Sequence, residues 1–486
     1  MGAGEAAIAE THSAVVCFLG DRAYKVKKAV DLGFLDFRAR EVREAVCHRE
    51  VELNRRLAPD VYLGVADVVG PDGEVCDHLV VMRRMPDDRR LSTLVRAGAP
   101  VADHLWHVAH QLATLHARSA RSAAADEAAG PEATRARWAS NTAEMLTDSA
   151  EVLDPAAVQR ADALAERFLT GRHRLLEHRV AAGRAVDGHG DLLADDVFCL
   201  DDGPRVLDCI EFDDRLRVGD GLADAAFLAM DLEHLGRPDL GAAFLGAYAE
   251  HAGDTWPAAL AHHQIAYRAQ VRAKVTAIRA LQGDHVAAAR ARQLLDLALE
   301  HLERGRVRLV VVGGLPGTGK STLAAGLADA LDATLLRSDE VRKELAGLPI
   351  DHPAPAAFGE GIYSPGATVA TYRSMLDRAG VALAMGETVV LDASWTSAGW
   401  REEARQLAQV TAADLVELRC ELPAAVAAER MARRAVEGGD PSDADAGVAA
   451  DLAALAAPWP SATVIDTQAA PTAALARAVA AVLGTG

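Results

Sequence analysis

Apolar and polar positions are arranged in three different ways along this chain. Between residues 13 and 82 the short apolar segments SAVVCFL, AYKVKKAV and HLVVM surround one stretch of helical period, which predicts a small β-rich lobe holding a single helix. From about 100 to 300 the period is mostly helical, interrupted by a predicted strand hairpin over 197–210. Beyond residue 305 the β-branched runs RLVVVG, TVVLDAS, ADLVELRC and ATVID alternate with amphipathic helices, the pattern of a mainly parallel sheet covered on both faces. The clearest break lies in HLERGRVRLVVVGG, where a helix-like region ends near Arg304–Gly305 and a strand begins. The expected organisation is residues 1–304, made of a lobe over 1–82 and a lobe over 87–304 with LVVMRRMPDD (79–88) as hinge, followed by an α/β domain over 305–486.

Composition narrows the function classes. At roughly 150 residues per domain, 486 residues suggest about three units. Half the chain is apolar and a quarter is charged, as in globular proteins generally. The net charge of −19 disfavours nucleic acid as a partner. No apolar run is long enough to span a bilayer, and the acidic residues near the N-terminus do not fit a secretion signal. The six cysteines are scattered without metal-like spacing, which places the protein in the reducing cytoplasm. Of 51 basic residues only six are lysine, so each retained lysine marks a position where a compact ammonium is worth seeking.

Two of the segments that retain lysine carry chemistry. Gly314-Leu-Pro-Gly317-Thr318-Gly319-Lys320-Ser321 satisfies GxxxxGK[ST] between a strand and a helix, with Thr322 next in line. Glycines let backbone amides converge on phosphate oxygens, the helix N-terminus adds its positive end, Lys320 reaches the outer phosphates and Ser321 suits Mg2+. Asp392, ending the run VVLD, is the expected second Mg2+ position, although a strand-end cap would read the same. Asp339 in LLRSDEVRKEL is placed to take a proton from an acceptor hydroxyl, and an N-cap would look identical. Arg430 and Arg434 share a helical face four residues apart, as a lid over phosphates requires. Residues from about 306 to 486 resemble the small P-loop kinases of the gluconate-kinase and zeta-toxin type. That resemblance implies transfer of an ATP phosphoryl group to a small hydroxyl acceptor, with Asp339 as base and Arg342 near the acceptor.

The second constellation is GHGDLLADDVFCLDDGPRVLDCIEFDD, in which the predicted hairpin brings Asp191 and Asp208 to the same end of a two-stranded ribbon. One carboxylate can then serve a hydroxyl proton and the other Mg2+. Upstream, Lys25 and Lys27 of AYKVKK share one strand face, and Glu50 interrupts the otherwise apolar stripe Val42, Val46, Leu53, Leu57 of the following helix. An inward carboxylate needs a partner, for which Lys25 is the first choice and Lys27 the alternative. This segment resembles the aminoglycoside-phosphotransferase branch of the protein-kinase-like fold. By that resemblance Asp191 is the catalytic base, Asp208 a Mg2+ ligand and Lys25 with Glu50 the ATP anchor. Asp196 stands where the family has Asn, and Leu193 replaces a residue that is often polar. Together the halves resemble bacterial fused proteins that join such a domain to a P-loop ATP-binding domain.

The fold class expected is therefore an α+β bilobal kinase-like domain followed by an α/β P-loop domain. The function expected is a bifunctional phosphotransferase using ATP and Mg2+ on small-molecule acceptors, without a membrane partner. Two alternatives remain: the first half as a nucleotide sensor regulating the second, or the second half as a nucleic-acid-end kinase or switch. The sequence does not set the oligomeric state.

Overall fold

Strands in the first third of the chain alternate buried and exposed positions, whereas the central strands beyond residue 305 are buried on both faces, and the two patterns build different sheets. In the computed structural model, residues 7–10, 13–31, 35–350, 359–437 and 446–484 are described. The chain divides into two units, the first being Met1–Asp162, Leu176–Trp256 and Ala261–Leu302, the second Ala163–Leu175, Pro257–Leu260 and Glu303–Gly486.

Unit 1 opens with a five-stranded antiparallel sheet of β1 (Ala7–Glu10), β2 (Ala14–Leu19), β3 (Arg22–Lys27), β4 (Tyr62–Val69) and β5 (Val75–Arg83), ordered β1-β2-β3-β5-β4. Helix α1 (Arg40–Asn54) lies between β3 and β4 in sequence. Its inward face keeps Glu50 and Leu53 of the predicted stripe but departs from it at Val42. Val42 is 41% exposed, and the buried positions run through Arg43, Cys47, Glu50 and Asn54. The departure arises because Arg43 turns inward, donating to the Phe37 and Arg38 carbonyls and pairing with Asp77 at 2.9 Å.

The remainder of unit 1 is largely helical, including α2 (Ala102–Ala117), α3 (Gly221–His234), most of α4 (Ala258–Leu281) and α5 (His285–Arg304). Short ladders join β6 (Ala185–Asp187) to β9 (Val218–Asp220) and β7 (Val197–Leu200) to β8 (Gly203–Val206). The predicted hairpin thus forms, but its second strand stops at Val206 instead of continuing to 210. Asp208 adopts a left-handed backbone (φ 66°), which no strand can accommodate. One core cluster joins Val80 and Met82 of the sheet, Cys47 and Val51 of α1, and Phe198, Leu200 and Leu207 of the hairpin. The shared core makes both lobes one unit, so the division is into two and not three.

Unit 2 has a five-stranded parallel sheet of β10 (Arg308–Gly313), β11 (Thr334–Arg337), β12 (Val389–Asp392), β13 (Asp414–Glu421) and β14 (Thr463–Asp466), ordered β11-β12-β10-β13-β14. Every residue of β10 and β12 is buried, as expected for a parallel sheet covered on both faces. Around it lie α6 (Lys320–Leu331), α7 (Ser338–Leu345), α8 (Pro365–Ala384) and α9 (Ala424–Glu437), among other helices. Strand β10 is central and the order reverses there, so the loop leaving its carboxyl end opens at the topological switch point. Among the described residues no helix is long and apolar enough to cross a membrane.

Candidate active sites

In unit 1 the two β3 lysines and Glu50 form one buried network. Lys25 Nζ lies 2.8 Å from Glu50 Oε1 and Lys27 Nζ lies 2.6 Å from Glu50 Oε2, so the carboxylate engages both lysines instead of choosing between them. Lys27 also pairs with Glu211, while Lys25 reaches Asp208 Oδ1 at 2.5 Å. Burial opposes charge on Glu50, yet Lys25 and Lys27 outweigh it and hold the carboxyl below its ordinary range. Lys25 is the lysine that links the sheet to the hairpin end. Lys27 joins Glu50 to Glu211.

The acidic residues predicted from the HGD segment gather at that end. The Leu207 amide donates to the Asp196 carbonyl, which closes the ribbon between Asp196 and Asp208. Asp208 is held in its left-handed conformation by two residues that sequence reasoning missed. Tyr62 Oη accepts from the Asp208 amide at 3.1 Å, and Asn54 Oδ1 accepts from the Cys209 amide at 2.9 Å. Lys25 keeps the Asp208 carboxyl down at about 2, whereas burial and the neighbouring Asp208 and Asp191 push Asp196 well above the usual carboxylate range. Asp191 receives Arg272 Nη1 at 3.4 Å. The turn bearing Asp191 is fixed by Asp224, which accepts from the His189 and Gly190 amides, both at 2.8 Å, and from His116 Nε2 at 2.9 Å. An anchoring role for Asp224 matches its burial and distinguishes it from the half-buried Asp191.

The residues fit a hydrated divalent ion shared with phosphates better than a protein-only metal cage. Among the described residues no group of three or more His, Cys, Asp or Glu could hold a metal by itself. Mg2+ typically takes one or two carboxylates and completes its shell with water and phosphate oxygens. Asp196 and Asp208, flanking the closed ribbon, are suited to that arrangement.

In unit 2 the phosphate-loop residues Gly314 to Ser321 leave the end of β10 and enter α6. Gly317 has φ 80°, and a Cβ there would lie 2.6 Å from the Ala427 carbonyl of α9, so only glycine fits. A Cβ on Gly319 would come 3.4 Å from Arg430 Nη1, which places that guanidinium beside the loop. Arg430 is anchored by donating to the Thr467 carbonyl at 3.0 Å, and Thr467 Oγ1 donates to the Thr318 carbonyl at 2.6 Å. Lys320 and Ser321 are half-buried at the first turn of α6, and Thr322 is exposed. The side chain of Arg434 lies outside the described residues, as does most of the polar segment after it.

Register pairs Asp392 with Val312, one residue before the strand-end Gly313. Asp392 is 3% exposed; its Oδ2 meets Arg337 Nε at 3.3 Å, while its buried Oδ1 has no hydrogen-bond partner among the described residues. A buried carboxylate oxygen left unmatched beside a glycine cradle fits a Mg2+-bearing nucleotide. Asp339 is the second residue of α7 and is half-buried. Arg342 is 7% exposed, donates to the Ile362 carbonyl at 2.8 Å and stacks on Tyr363. Both act electrostatically on Tyr372, whose hydroxyl lies 3.2 Å from Ser394 Oγ and whose ring stacks on Trp400. Sequence reasoning missed Tyr372, which sits on α8 far from any motif. It also missed Arg337, whose place at the end of β11 was the available signal.

The family model described as an AAA domain matches residues 309–458. The uncharacterized protein Rv2004c of Mycobacterium tuberculosis (strain H37Rv) is 45% identical over 460 residues, 95% of this chain and 92% of that protein. Among solved structures, a sugar kinase from Janibacter sp. HTCC2649 is 22% identical, covering 36% of this chain and 94% of its own, with a TM-score of 0.29. The GDP complex of aminoglycoside 2′-phosphotransferase-IIIa is 13% identical, covering 62% of this chain and 94% of its own, with a TM-score of 0.39. With 45% identity to Rv2004c along nearly the whole of both chains, the protein belongs to the family of that mycobacterial protein.

Proposed function

We propose that the protein is a phosphotransferase with two ATP sites, each passing a phosphoryl group to a hydroxyl of a small molecule in the cytoplasm. The observation that carries the reading is Lys25 touching Glu50 and Asp208 at once, a phosphate anchor set against the acidic end of the hairpin. The phosphate loop of unit 2, with Asp392 at its side, supports a second and separate site.

In each reaction the acceptor oxygen bonds to the γ-phosphorus as the bond to the β–γ bridging oxygen breaks, and that electron pair leaves with ADP. The hydroxyl proton passes to Asp191 in unit 1 or to Asp339 in unit 2. Lys25 anchors phosphate because Glu50 fixes its ammonium, and the unit 2 loop amides with Lys320 surround the phosphate tail. Asp208 with Asp196 in unit 1, and Ser321 with Asp392 in unit 2, would hold a Mg2+ that would neutralise phosphate charge. Arg342 is buried and Arg430 turns to a carbonyl, which supports a small acceptor over a nucleic-acid end. A second reading, in which unit 1 only senses nucleotide, rests on Asp196, whose carboxyl cannot supply the amide donor of Asn.

Equilibrium dialysis of the full chain with Mg2+ and a non-hydrolysable ATP analogue tests the two-site claim. The wild type should bind two equivalents, and Lys320→Ala and Asp208→Asn one each. A single equivalent in the wild type refutes it.

A further inference from the structure

We propose that the acceptor of the unit 1 site is a small hydroxylated anion, a sugar phosphate or sugar acid, received in an arginine-lined cavity next to Asp191. The inference rests on the phosphotransferase reading of that site and names its substrate class. The cavity, about 350 Å3, is large enough for a sugar-sized molecule. Its charged walls are Arg96 from the short helix Leu91–Arg96, Arg272 and Arg279 from α4, Arg290 from α5, and Asp195 with Asp231.

Four guanidinium groups therefore face two carboxylates in a chain whose overall balance is −19. The two acids already have partners in the protein: Asp231 accepts from the Ala194 amide at 2.8 Å, and Asp195 accepts from the Ser92 hydroxyl. The arginines are less committed. Arg279 lies 3.7 Å from Asp284, while Arg96 and Arg290 have no hydrogen-bond or ion-pair partner among the described residues. His234, also in the wall, responds to this field. Burial and then Arg290, Arg272 and Arg96 press its pKa below the ordinary value, which leaves a neutral ring able to donate or accept. Arg272 ties the cavity to the reaction, since the guanidinium that lines it also contacts Asp191 at 3.4 Å. Leu193, where a polar residue was expected, adds an apolar strip for a carbon skeleton.

A cationic acceptor would meet like charge here, and a neutral one would leave the arginines unmatched. An acceptor with a phosphate or carboxylate at one end satisfies them and can present a hydroxyl toward Asp191. Guanidinium groups suit both oxyanions through two parallel hydrogen bonds.

The test is calorimetric titration of full-length Lys320→Ala protein, saturated with Mg2+ and a non-hydrolysable ATP analogue. The probes are glucose 6-phosphate, glucuronate, glucose and the polycation kanamycin. At least one anion should bind about tenfold or more tightly than glucose, with the phosphate and carboxylate arms separating the two sources of charge. Arg96→Glu/Arg290→Glu should lose that affinity about tenfold or more, whereas Arg290→Lys, which keeps the charge, should retain most of it. Glucose or kanamycin binding as tightly as both anions overturns the proposal, as does anion binding that survives the double reversal. ATP turnover distinguishes the two levels. Anions that bind as expected without ATP consumption sink the phosphotransferase reading and leave the anion site standing, whereas consumption with neutral acceptors alone sinks the anion site.

Discussion

Glu50→Gln is the substitution whose cost follows most directly from the geometry. Glu50 is fully buried and Lys27 is 2% exposed, with ion-pair distances of 2.8 Å to Lys25 and 2.6 Å to Lys27. Glutamine keeps the shape and removes the charge, which leaves two buried ammonium groups to share Glu211 and Asp208. Removing one partner of a buried ion pair costs about 3–5 kcal/mol, and at roughly 2–4 °C per kcal/mol the unit 1 transition should fall by about 6–20 °C. Glu52→Gln is the control. Glu52 is 69% exposed in its pair with Arg49, and such a pair is worth at most about 1 kcal/mol. The sign with pH is also fixed. A carboxyl held below its unfolded value contributes stability that is complete above the unfolded value, about 4.3, and disappears as pH falls through the folded one. Wild type and Glu50→Gln should therefore differ fully at neutral pH and converge in acid. Scanning calorimetry measures the transition, and amide exchange over residues 40–54 assigns it to α1. A neutral-pH shift under about 2 °C, or a gap that persists in acid, would refute the reasoning.

Two further substitutions probe the sites. Gly317→Ala places a methyl group 2.6 Å from the Ala427 carbonyl, so nucleotide equivalents bound by the full chain should fall from about two to one in equilibrium dialysis. Asp196→Asn removes a carboxylate that Asp208 and Asp191 repel. In metal-free buffer it should raise the unit 1 melting temperature by roughly 2–4 °C, corresponding to about 1 kcal/mol, and the gain should shrink when Mg2+ is added.

What could be read from sequence was local. The phosphate loop is a contiguous strand, turn and helix, so its residues are specified together, and parallel-sheet strands announce themselves as unbroken β-branched runs. The hairpin was legible for the same reason, because Val197 and Val206 pair across a short turn. The inward face of α1 was legible at Glu50 and Leu53 but not in its first turn, since the hydrophobic stripe favours Val42 while tertiary bonds to Phe37, Arg38 and Asp77 pull Arg43 inside. Tyr62, which accepts from the Asp208 amide, and Asn54, which accepts from the adjacent Cys209 amide, reach this turn across more than 140 residues. The arginine cavity draws on five separate stretches of chain, and its one local trace is the seven-residue spacing of Arg272 and Arg279 along α4.

The central claim is that two independent phosphoryl-transfer centres reside in one chain. Radiolabelled γ-phosphate ATP, incubated with a bacterial metabolite extract and the full-length protein, measures it directly when labelled products are resolved for wild type, Asp191→Asn and Lys320→Ala. The account predicts two product sets in the wild type, each lost in one variant and retained in the other. Products that vanish together in both variants, or persist in both, would contradict it.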